Sequence, residues 1–175
     1  LTDASRIVEA APPARQMALF SATVPREVEA LIARLFEKSP MILKTRGSHR
    51  VVATLTTSNR VVVDGRRFEL LQALLSEDSP GSTLIFANTH EQCDKLERQL
   101  TQAGHKCVVY RGEMNKNERR ANLQEFRDGG VDLLIATDLG SRGLDVEGVE
   151  RVVNYHLPHQ MENYLHRVGR TARAG

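Results

Sequence analysis

The chain has 175 residues, of which 41% are hydrophobic and 26% are charged, a composition typical of a globular protein. This length suits one domain, or one domain with part of a second. The net charge of +2 is too small to indicate a nucleic-acid partner, and no apolar run approaches the roughly 20 residues that span a bilayer. The chain opens at Leu1 without a basic-then-apolar signal segment, and we expect it to be a fragment.

The two cysteines and six histidines do not form a metal-binding pattern. Cys93 and Cys107 belong to no C-x-x-C motif, and the histidines are scattered along the chain. Cys93 lies in a helical pattern and Cys107 opens an apolar run, so we predict two small core residues and no metal site. Two cysteines in a chain of this length indicate a reducing, intracellular compartment, for which we expect the cytoplasm.

The first 44 residues predict a strand, a helix and a second short strand. The strands are expected at 17–22 and 41–44, and the helix begins near Pro25, because proline is favoured in a first helical turn. Its apolar residues recur at helical spacing: Val28, Leu31, Ile32, Leu35 and Phe36. Residues 45–59 lack this periodicity and are rich in Thr, Ser and Gly, which predicts a linker.

From residue 60 onward, short apolar strands alternate with helices. The predicted strands are 60–63, 83–87, 107–110, 132–136 and 151–154. The predicted helices are 66–76, 90–103, 115–129 and 158–170, with capping boxes formed by Thr89 with Gln92 and by Asn115 with Glu118. This alternation predicts an α/β fold with a mostly parallel sheet and helices on both faces. Such sheets bind ligands at the carboxyl ends of their strands.

The segment 164–173, YLHRVGRTAR, places Arg167, Arg170 and Arg173 three residues apart with no acidic side chain among them. On a helix this spacing stacks guanidinium groups along one side, where they repel one another unless an anion lies nearby. Their planar donor forks match a phosphate. The alternative is a solvated basic helix end, since cations suit a helix C-terminus.

Four segments occur in an order and at intervals that resemble the later motifs of DEAD-box RNA helicases. They are Ser21-Ala22-Thr23, residues 84–89 (LIFANT), Ala136-Thr137-Asp138 with residues 141–145 (SRGLD), and residues 166–173 (HRVGRTAR). The resemblance implies a RecA-like fold. Residues 1–44 would then be the end of a first, ATP-binding RecA-like domain, 45–59 the interdomain linker, and 60–175 a second RecA-like domain truncated at its end.

The resemblance also implies a role for individual residues. RNA would be bound, mainly through its backbone, by Asn88, Thr89, Gly112, Arg119 and Thr137. Arg170 and Arg173 would be catalytic arginine fingers on the ATP phosphates, and Asp145 would contact the ribose. The coupling residues would be Ser21, Thr23, Arg142, His166 and Arg167, with His166 and Arg167 bridging the domains and positioning the arginine motif.

ATP and Mg²⁺ are the cofactors that the resemblance implies, yet this sequence has no phosphate-loop motif and no Asp-Glu-Ala-Asp run. Those elements belong to the first domain of the family, so we expect the fragment alone to be inactive. The expected partners are RNA and the first RecA-like domain, with no membrane.

Several positions depart from the family pattern or allow a plainer interpretation. Lys116 replaces the family's Gln in its Q-x-x-R element, and its role stays open. Gly140-Ser141 replaces two alanines, and Ala172 replaces a glycine. Thr23 and Thr89 also suit helix caps, and 137–148 also suits an ordinary βα loop.

The function predicted from the sequence is part of an ATP-dependent RNA helicase that closes two lobes on RNA and ATP. A DNA-directed relative in the same superfamily is one alternative, although His166 favours the RNA branch. A non-enzymatic nucleic-acid-binding module is the other, and it would leave the arginine motif unexplained.

Overall fold

The structure is a computed structural model that describes residues 2–21, 24, 26–36, 39–43, 55–77, 81–138, 146 and 148–171. The chain divides into two compact units, residues 1–50 and residues 51–175. The predicted linker at 45–59 lies outside the described residues as far as position 54, and the predicted domain boundaries stay predictions.

The described part of the first unit contains two helices, α1 (Thr2–Ala10) and α2 (Arg26–Leu35). The predicted helix at α2 is confirmed, whereas the strands predicted at 17–22 and 41–44 are wrong over the positions that the structure describes. Phe20 is 93% exposed and Met41 84% exposed. A strand is held by hydrogen bonds to a neighbouring strand, and the described part of this unit supplies no strand to pair with.

The second unit is built on a four-stranded parallel sheet of order β2-β3-β1-β4. The strands are β1 (Thr83–Phe86), β2 (Cys107–Tyr110), β3 (Leu133–Ala136) and β4 (Arg151–Asn154). The helices are α3 (Arg67–Ser76), α4 (His90–Gln102), α5 (Lys116–Arg127) and α6 (Met161–Val168). The predicted α/β fold with a parallel sheet is therefore confirmed.

Alternate residues of the central strand β1 supply the two sides of the core, because successive side chains of a strand point to opposite faces. Leu84 and Phe86 pack with Phe126 of α5 on one face. Ile85 packs with Leu71 of α3 and Leu96 of α4 on the other. Helices therefore cover both faces of the sheet, as the sequence pattern predicts, and the ends of the strands are left open.

Cys93 is fully buried on the α4 side of this core, and Cys107 at the start of β2 is half-buried. Burial raises the pKa of the Cys93 thiol to about 12 and also raises that of Cys107, so both stay protonated. Cys93 is confirmed as a core residue.

The strand predicted at 60–63 is wrong. The structure gives this segment no ladder partner, and Val61 is 83% exposed. The run of three valines favours a strand by propensity alone, but β propensity describes a half-buried pleated surface rather than a backbone preference. Whether a segment becomes a strand depends on hydrogen bonds to a neighbouring strand. On this side of the sheet β1 forms its ladder with β4, and not with residues 60–63.

The helix caps follow the sequence at α4 and in part at α5. Thr89 Oγ1 accepts from the backbone N–H of Gln92 at 3.2 Å, and Gln92 Oε1 accepts from the backbone N–H of Thr89 at 3.2 Å, which completes a capping box. Asn115 Oδ1 accepts from the backbone N–H of Glu118 at 2.9 Å. The Glu118 carboxylate accepts from the Asn115 side chain instead of its backbone, so the second box is only half formed.

No helix in the part of the chain that the structure describes has both the length and the apolar character needed to cross a bilayer.

Candidate functional site

Three adjacent parallel strands end at one edge of the sheet, and each delivers a polar side chain there. Asn88 follows β1, Asp138 follows β3, and Asn154 is the last residue of β4. All three accept hydrogen bonds from the guanidinium of Arg167, which belongs to α6. The strand ends and α6 therefore form one connected group, the Arg167 cluster: Asn88, Asp138, Asn154, His156 and Arg167.

Arg167 is only 1% exposed, and its guanidinium uses all five of its N–H donors. Nε and Nη2 donate to the two carboxylate oxygens of Asp138, with Nη2 to Oδ2 at 2.8 Å. Nη2 also donates to Asn88 Oδ1 at 2.9 Å. Nη1 donates to Asn154 Oδ1 at 3.1 Å and to the backbone carbonyl of His156 at 2.6 Å.

A buried charge is tolerated only when it is paired and hydrogen-bonded. The carboxylate of Asp138 supplies the paired charge, and the ring of Phe86 lies 4.9 Å below the guanidinium carbon, where a cation is attracted to the ring face. Every N–H donor of the Arg167 guanidinium is used inside the second unit. The side chain therefore holds the last turn of α6 against the ends of the strands. A direct bridge from this side chain to another domain does not fit this geometry.

Asn88 joins the cluster to two further segments. Its Nδ2 donates to the backbone carbonyl of Leu157 at 3.0 Å, and its backbone N–H donates to Gln92 Oε1 at 3.1 Å. The amide thus accepts from Arg167 and donates to the loop before α6. Its backbone N–H, through the bond to Gln92, is part of the hydrogen bonding at the start of α4.

His156 holds β4 and the following loop against β1, because its backbone N–H donates to the carbonyl of Phe86 at 3.2 Å. Burial lowers the pKa of its imidazole, and the nearby charges of Arg67 and Arg167 lower it further. The ring is therefore neutral at physiological pH. Nδ1 is buried, and none of the residues that the structure describes bonds to it.

A second group of polar residues lies where α4 and α5 begin. His90 Nδ1 lies 2.7 Å from Glu113 Oε2, and Arg111 Nη1 lies 2.8 Å from Asp94 Oδ1. These two contacts tie the loop after β2 to the first turns of α4. Exposed Thr89 and exposed Gly112, each adjacent to one member of the His90–Glu113 pair, consequently lie in the same region.

Arg119 projects from the first turns of α5 toward that loop. Its guanidinium carbon lies 5.7 Å from the centre of the Tyr110 ring, and Nη1 donates to the carbonyl of Gly112 at 3.4 Å. The ring and the carbonyl hold a half-buried cation next to two helix N-termini, whose backbone N–H groups favour anions. The surface formed by Thr89, Gly112 and Arg119 has the donors for a phosphate backbone.

The other residues predicted for the site fall into three groups. Arg170 is half-buried in the turn after α6, where its backbone N–H donates to the carbonyl of Arg167 at 3.1 Å, and His166 is exposed on α6. Thr137 is 3% exposed, so its side chain does not face solvent. Ser21 belongs to the first unit and is exposed there. Four predicted residues lie outside the described ranges: Thr23, Arg142, Asp145 and Arg173.

Sequence reasoning included Asp138 in a resembled motif but did not predict its contact with Arg167, and it assigned no role to Asn154 or His156. The signal was available for the first two, because each is polar and stands at the end of a predicted strand, where ligand-binding residues of parallel sheets collect. The part played by the His156 backbone carbonyl had no sequence signal. Within the described ranges, no three His, Cys, Asp or Glu residues are grouped as a metal site would require.

A parallel α/β sheet whose strand ends are joined by a buried arginine of α6 is the architecture of a RecA-like helicase lobe. Residues 66–175 match the model of the helicase conserved C-terminal domain, which covers more than half of the chain. The chain belongs to this family, and its relatives within the family are DEAD-box RNA helicases.

Two curated relatives show how the chain compares with complete proteins. The DEAD-box ATP-dependent RNA helicase RhpA of Helicobacter pylori is 35% identical over 175 residues, which are 100% of this chain and 35% of that protein. The RNA helicase CrhR of Synechocystis is 36% identical over 172 residues, which are 98% of this chain and 35% of that protein. The chain thus spans about a third of these relatives.

Solved structures of DEAD-box proteins have the same fold. Saccharomyces cerevisiae Dbp5 bound to RNA and ADP BeF3 is 27% identical with a TM-score of 0.82, covering 97% of this chain and 45% of that one. A DEAD box protein from Methanococcus jannaschii is 33% identical with a TM-score of 0.66, covering 100% and 47%.

Proposed function

We propose that this chain is the C-terminal lobe, with the end of the N-terminal lobe, of an ATP-dependent RNA helicase. Residues 1–44 would complete a first RecA-like domain, 45–59 would link the domains, and 60–175 would form the second. The single observation that carries the proposal is the Arg167 cluster, because it gathers the ends of β1, β3 and β4 with the arginine motif of α6 at one edge. Family membership and the DEAD-box relatives support the same assignment.

RNA would be held through its backbone by Thr89, Gly112 and Arg119. Helix N-termini and an arginine donate to phosphate oxygens without reading bases, and the 2′-hydroxyl distinguishes RNA from DNA. The amide of Asn88 is bonded inside the cluster, so we give the RNA contact at this loop to its neighbour Thr89. The buried Thr137 would support the loop after β3 instead of presenting its hydroxyl to RNA.

ATP would be contacted from this lobe by Arg170 and Arg173 at the phosphates and by Asp145 at the ribose. Guanidinium groups suit phosphate oxygens, and Arg170 stands at the same edge as the Arg167 cluster. The Mg²⁺ ligands and the phosphate loop would come from the first domain, since this sequence lacks both motifs.

In this mechanism, the two lobes close when RNA and ATP are both bound, and closure brings the arginines to the phosphate where transition-state charge develops. Ser21, Thr23, Arg142 and His166 would couple the lobes, while Arg167 holds the arginine motif in place. Closure on RNA that bends one strand would separate a short duplex, and hydrolysis would release it. The two unpaired cysteines support a reducing intracellular compartment, and we propose the cytoplasm.

The test is the ATPase rate of the full-length protein with no nucleic acid, with single-stranded RNA and with DNA of the same sequence. Stimulation by RNA that DNA does not reproduce is expected. Equal stimulation by both would indicate the DNA-directed alternative, and no stimulation by either would contradict the helicase assignment.

A further inference from the structure

We propose that Asn88 is a positioning residue that transmits RNA binding at Thr89 to the arginine motif through Arg167, and that it is not itself an RNA contact. The inference rests on the proposed RNA-stimulated hydrolysis and specifies how that stimulation crosses this lobe.

The amide of Asn88 is occupied at both ends within the lobe. Its oxygen accepts from Arg167 Nη2 at 2.9 Å, and its nitrogen donates to the Leu157 carbonyl at 3.0 Å. A side chain that is hydrogen-bonded in this way sets the distance between the end of β1 and the loop before α6. The amide retains a second N–H and a second lone pair, but turning the side chain toward a new partner would break one or both of these bonds.

The residue beside Asn88 is the one that faces outward. Thr89 is exposed and is the N-cap of α4, where the N–H groups of a helix favour a phosphate. The Gln92 carboxamide oxygen accepts from the backbone N–H groups of both Asn88 and Thr89, at 3.1 and 3.2 Å. A shift of Thr89 on binding a phosphate therefore carries Asn88 with it.

The other end of the connection leads to the arginines. Arg167 is three residues before Arg170, and the backbone N–H of Arg170 donates to the Arg167 carbonyl at 3.1 Å. Because the Arg167 guanidinium is buried with all donors used, a displaced Asn88 oxygen must be followed by the guanidinium or lose its bond. Under this proposal the guanidinium follows, and movement at the RNA side changes the position of the turn that presents Arg170.

Asn154 provides a matched control. It offers the same amide oxygen to the same guanidinium, through Nη1 at 3.1 Å, but it ends β4 and has no neighbour on the proposed RNA surface. Removing either amide takes one charge-assisted hydrogen bond from Arg167, and removing Asn88 also takes the bond to the Leu157 carbonyl. A purely structural role for Asn88 would therefore destabilise Asn88→Ala more than Asn154→Ala, without a fall in the ATPase ratio that is specific to Asn88→Ala.

The experiment uses the full-length protein and measures three quantities for each variant: the free energy of unfolding, the dissociation constant for a single-stranded RNA, and the ratio of the ATPase rates with saturating RNA and without RNA. For Asn88→Ala we expect the ratio to fall about tenfold, within the usual range of coupling between sites, while the RNA dissociation constant stays within about threefold. For Asn154→Ala we expect a smaller loss of stability, because one hydrogen bond is lost where Asn88→Ala loses two, and a ratio within about twofold of wild type.

Asn88→Asp serves as a second variant if Asn88→Ala folds poorly. Its carboxylate still accepts from Arg167 but cannot donate to Leu157, so we expect it to keep more of the stimulation than the alanine variant. A direct RNA contact would give the opposite order, because a carboxylate beside the RNA phosphates would weaken binding more than alanine does.

Two results overturn the inference while leaving the proposed function intact. One is a raised RNA dissociation constant with an unchanged ratio at saturating RNA, and the other is an equal fall in the ratio for Asn88→Ala and Asn154→Ala. A wild-type protein that RNA does not stimulate would instead remove the proposed function, and the inference with it.

Discussion

The guanidinium of Arg167 and the carboxylate of Asp138 form a two-point ion pair that joins α6 to the end of β3 across 29 positions of sequence. The arginine is 1% exposed, whereas 27% of the Asp138 side chain remains accessible. The pair therefore has its cation inside the lobe and its anion at the edge. This arrangement gives Arg167 a structural task, and we propose that the contact with nucleotide phosphates falls to Arg170 and Arg173.

Replacing Arg167 should destabilise the second unit strongly. Arg167→Ala takes the charge of Arg167 away from Asp138 and removes five hydrogen bonds, and removing one partner of a buried pair costs about 3–5 kcal/mol. Urea denaturation of the chain would measure the free energy of unfolding. Arg120→Ala, at an exposed position of α5, is the control and should change that quantity by less than about 0.5 kcal/mol. Equal effects of the two substitutions would contradict the role given to Arg167.

Arg119 should contribute to RNA affinity through phosphate and not through base identity. Arg119→Ala is expected to weaken binding by a similar factor on RNAs of different sequence and to lower the slope of log affinity against log salt by about one phosphate contact. Fluorescence anisotropy at several salt concentrations would measure both. Loss of affinity for one sequence alone would assign Arg119 to base recognition. Arg98→Ala, at an exposed position of α4, tests whether removing any surface cation has the same effect.

Arg173 should act on hydrolysis and not on RNA binding. In the full-length protein, Arg173→Ala is expected to lower the ATPase rate by roughly 10²–10⁴, because a cation is lost where transition-state charge develops. Arg173→Lys should restore little, since a flexible ammonium does not reproduce the planar fork. RNA affinity without nucleotide should change by less than about threefold. Loss of RNA binding with unchanged hydrolysis per bound complex would instead favour the plainer interpretation of a basic helix end.

The purified 175-residue chain should show no RNA-stimulated ATPase activity. The sequence has neither a phosphate loop nor an Asp-Glu-Ala-Asp run, and the arginines of one lobe do not assemble a nucleotide site alone. A coupled ATPase assay with and without RNA would measure this. Turnover above background that disappears in Arg173→Ala would overturn the division of the site between two lobes.

The elements of the second unit could be predicted because their local signals agree with their surroundings. The Thr89 capping box appears in the structure as its sequence spacing indicates, and four of the five predicted strands from residue 60 onward occur within one residue of the expected bounds. For the strands predicted at 17–22, 41–44 and 60–63, the local signal did not agree with the surroundings. Their apolar side chains satisfy the pattern, but a strand also needs an edge to pair with, and no local pattern records which edge is available.

The location of the site was predicted from the sequence, but the hydrogen bonds between its residues were not. The resemblance to the DEAD-box motifs led to Asn88 and Thr89, and it gave both the same task. The structure distinguishes the two residues because the Asn88 amide points into the cluster and the Thr89 backbone opens a helix, a difference in direction that sequence spacing does not contain. Arg167 shows the same limit, since its 1% exposure and its five hydrogen bonds are not contained in the spacing of the three arginines.

The Arg167 cluster also constrains the order in which the lobe can fold. Its hydrogen bonds span 79 positions between Asn88 and Arg167, and contacts of such long sequence separation form late because their loop-closure entropy is unfavourable. The sheet core of β1, β2 and β3 is complete in sequence by residue 136, so a nascent chain can form it before α6 leaves the ribosome. Until Arg167 arrives, Asp138 lacks the cation that α6 supplies, so the Arg167 cluster cannot be complete before α6 has been synthesised.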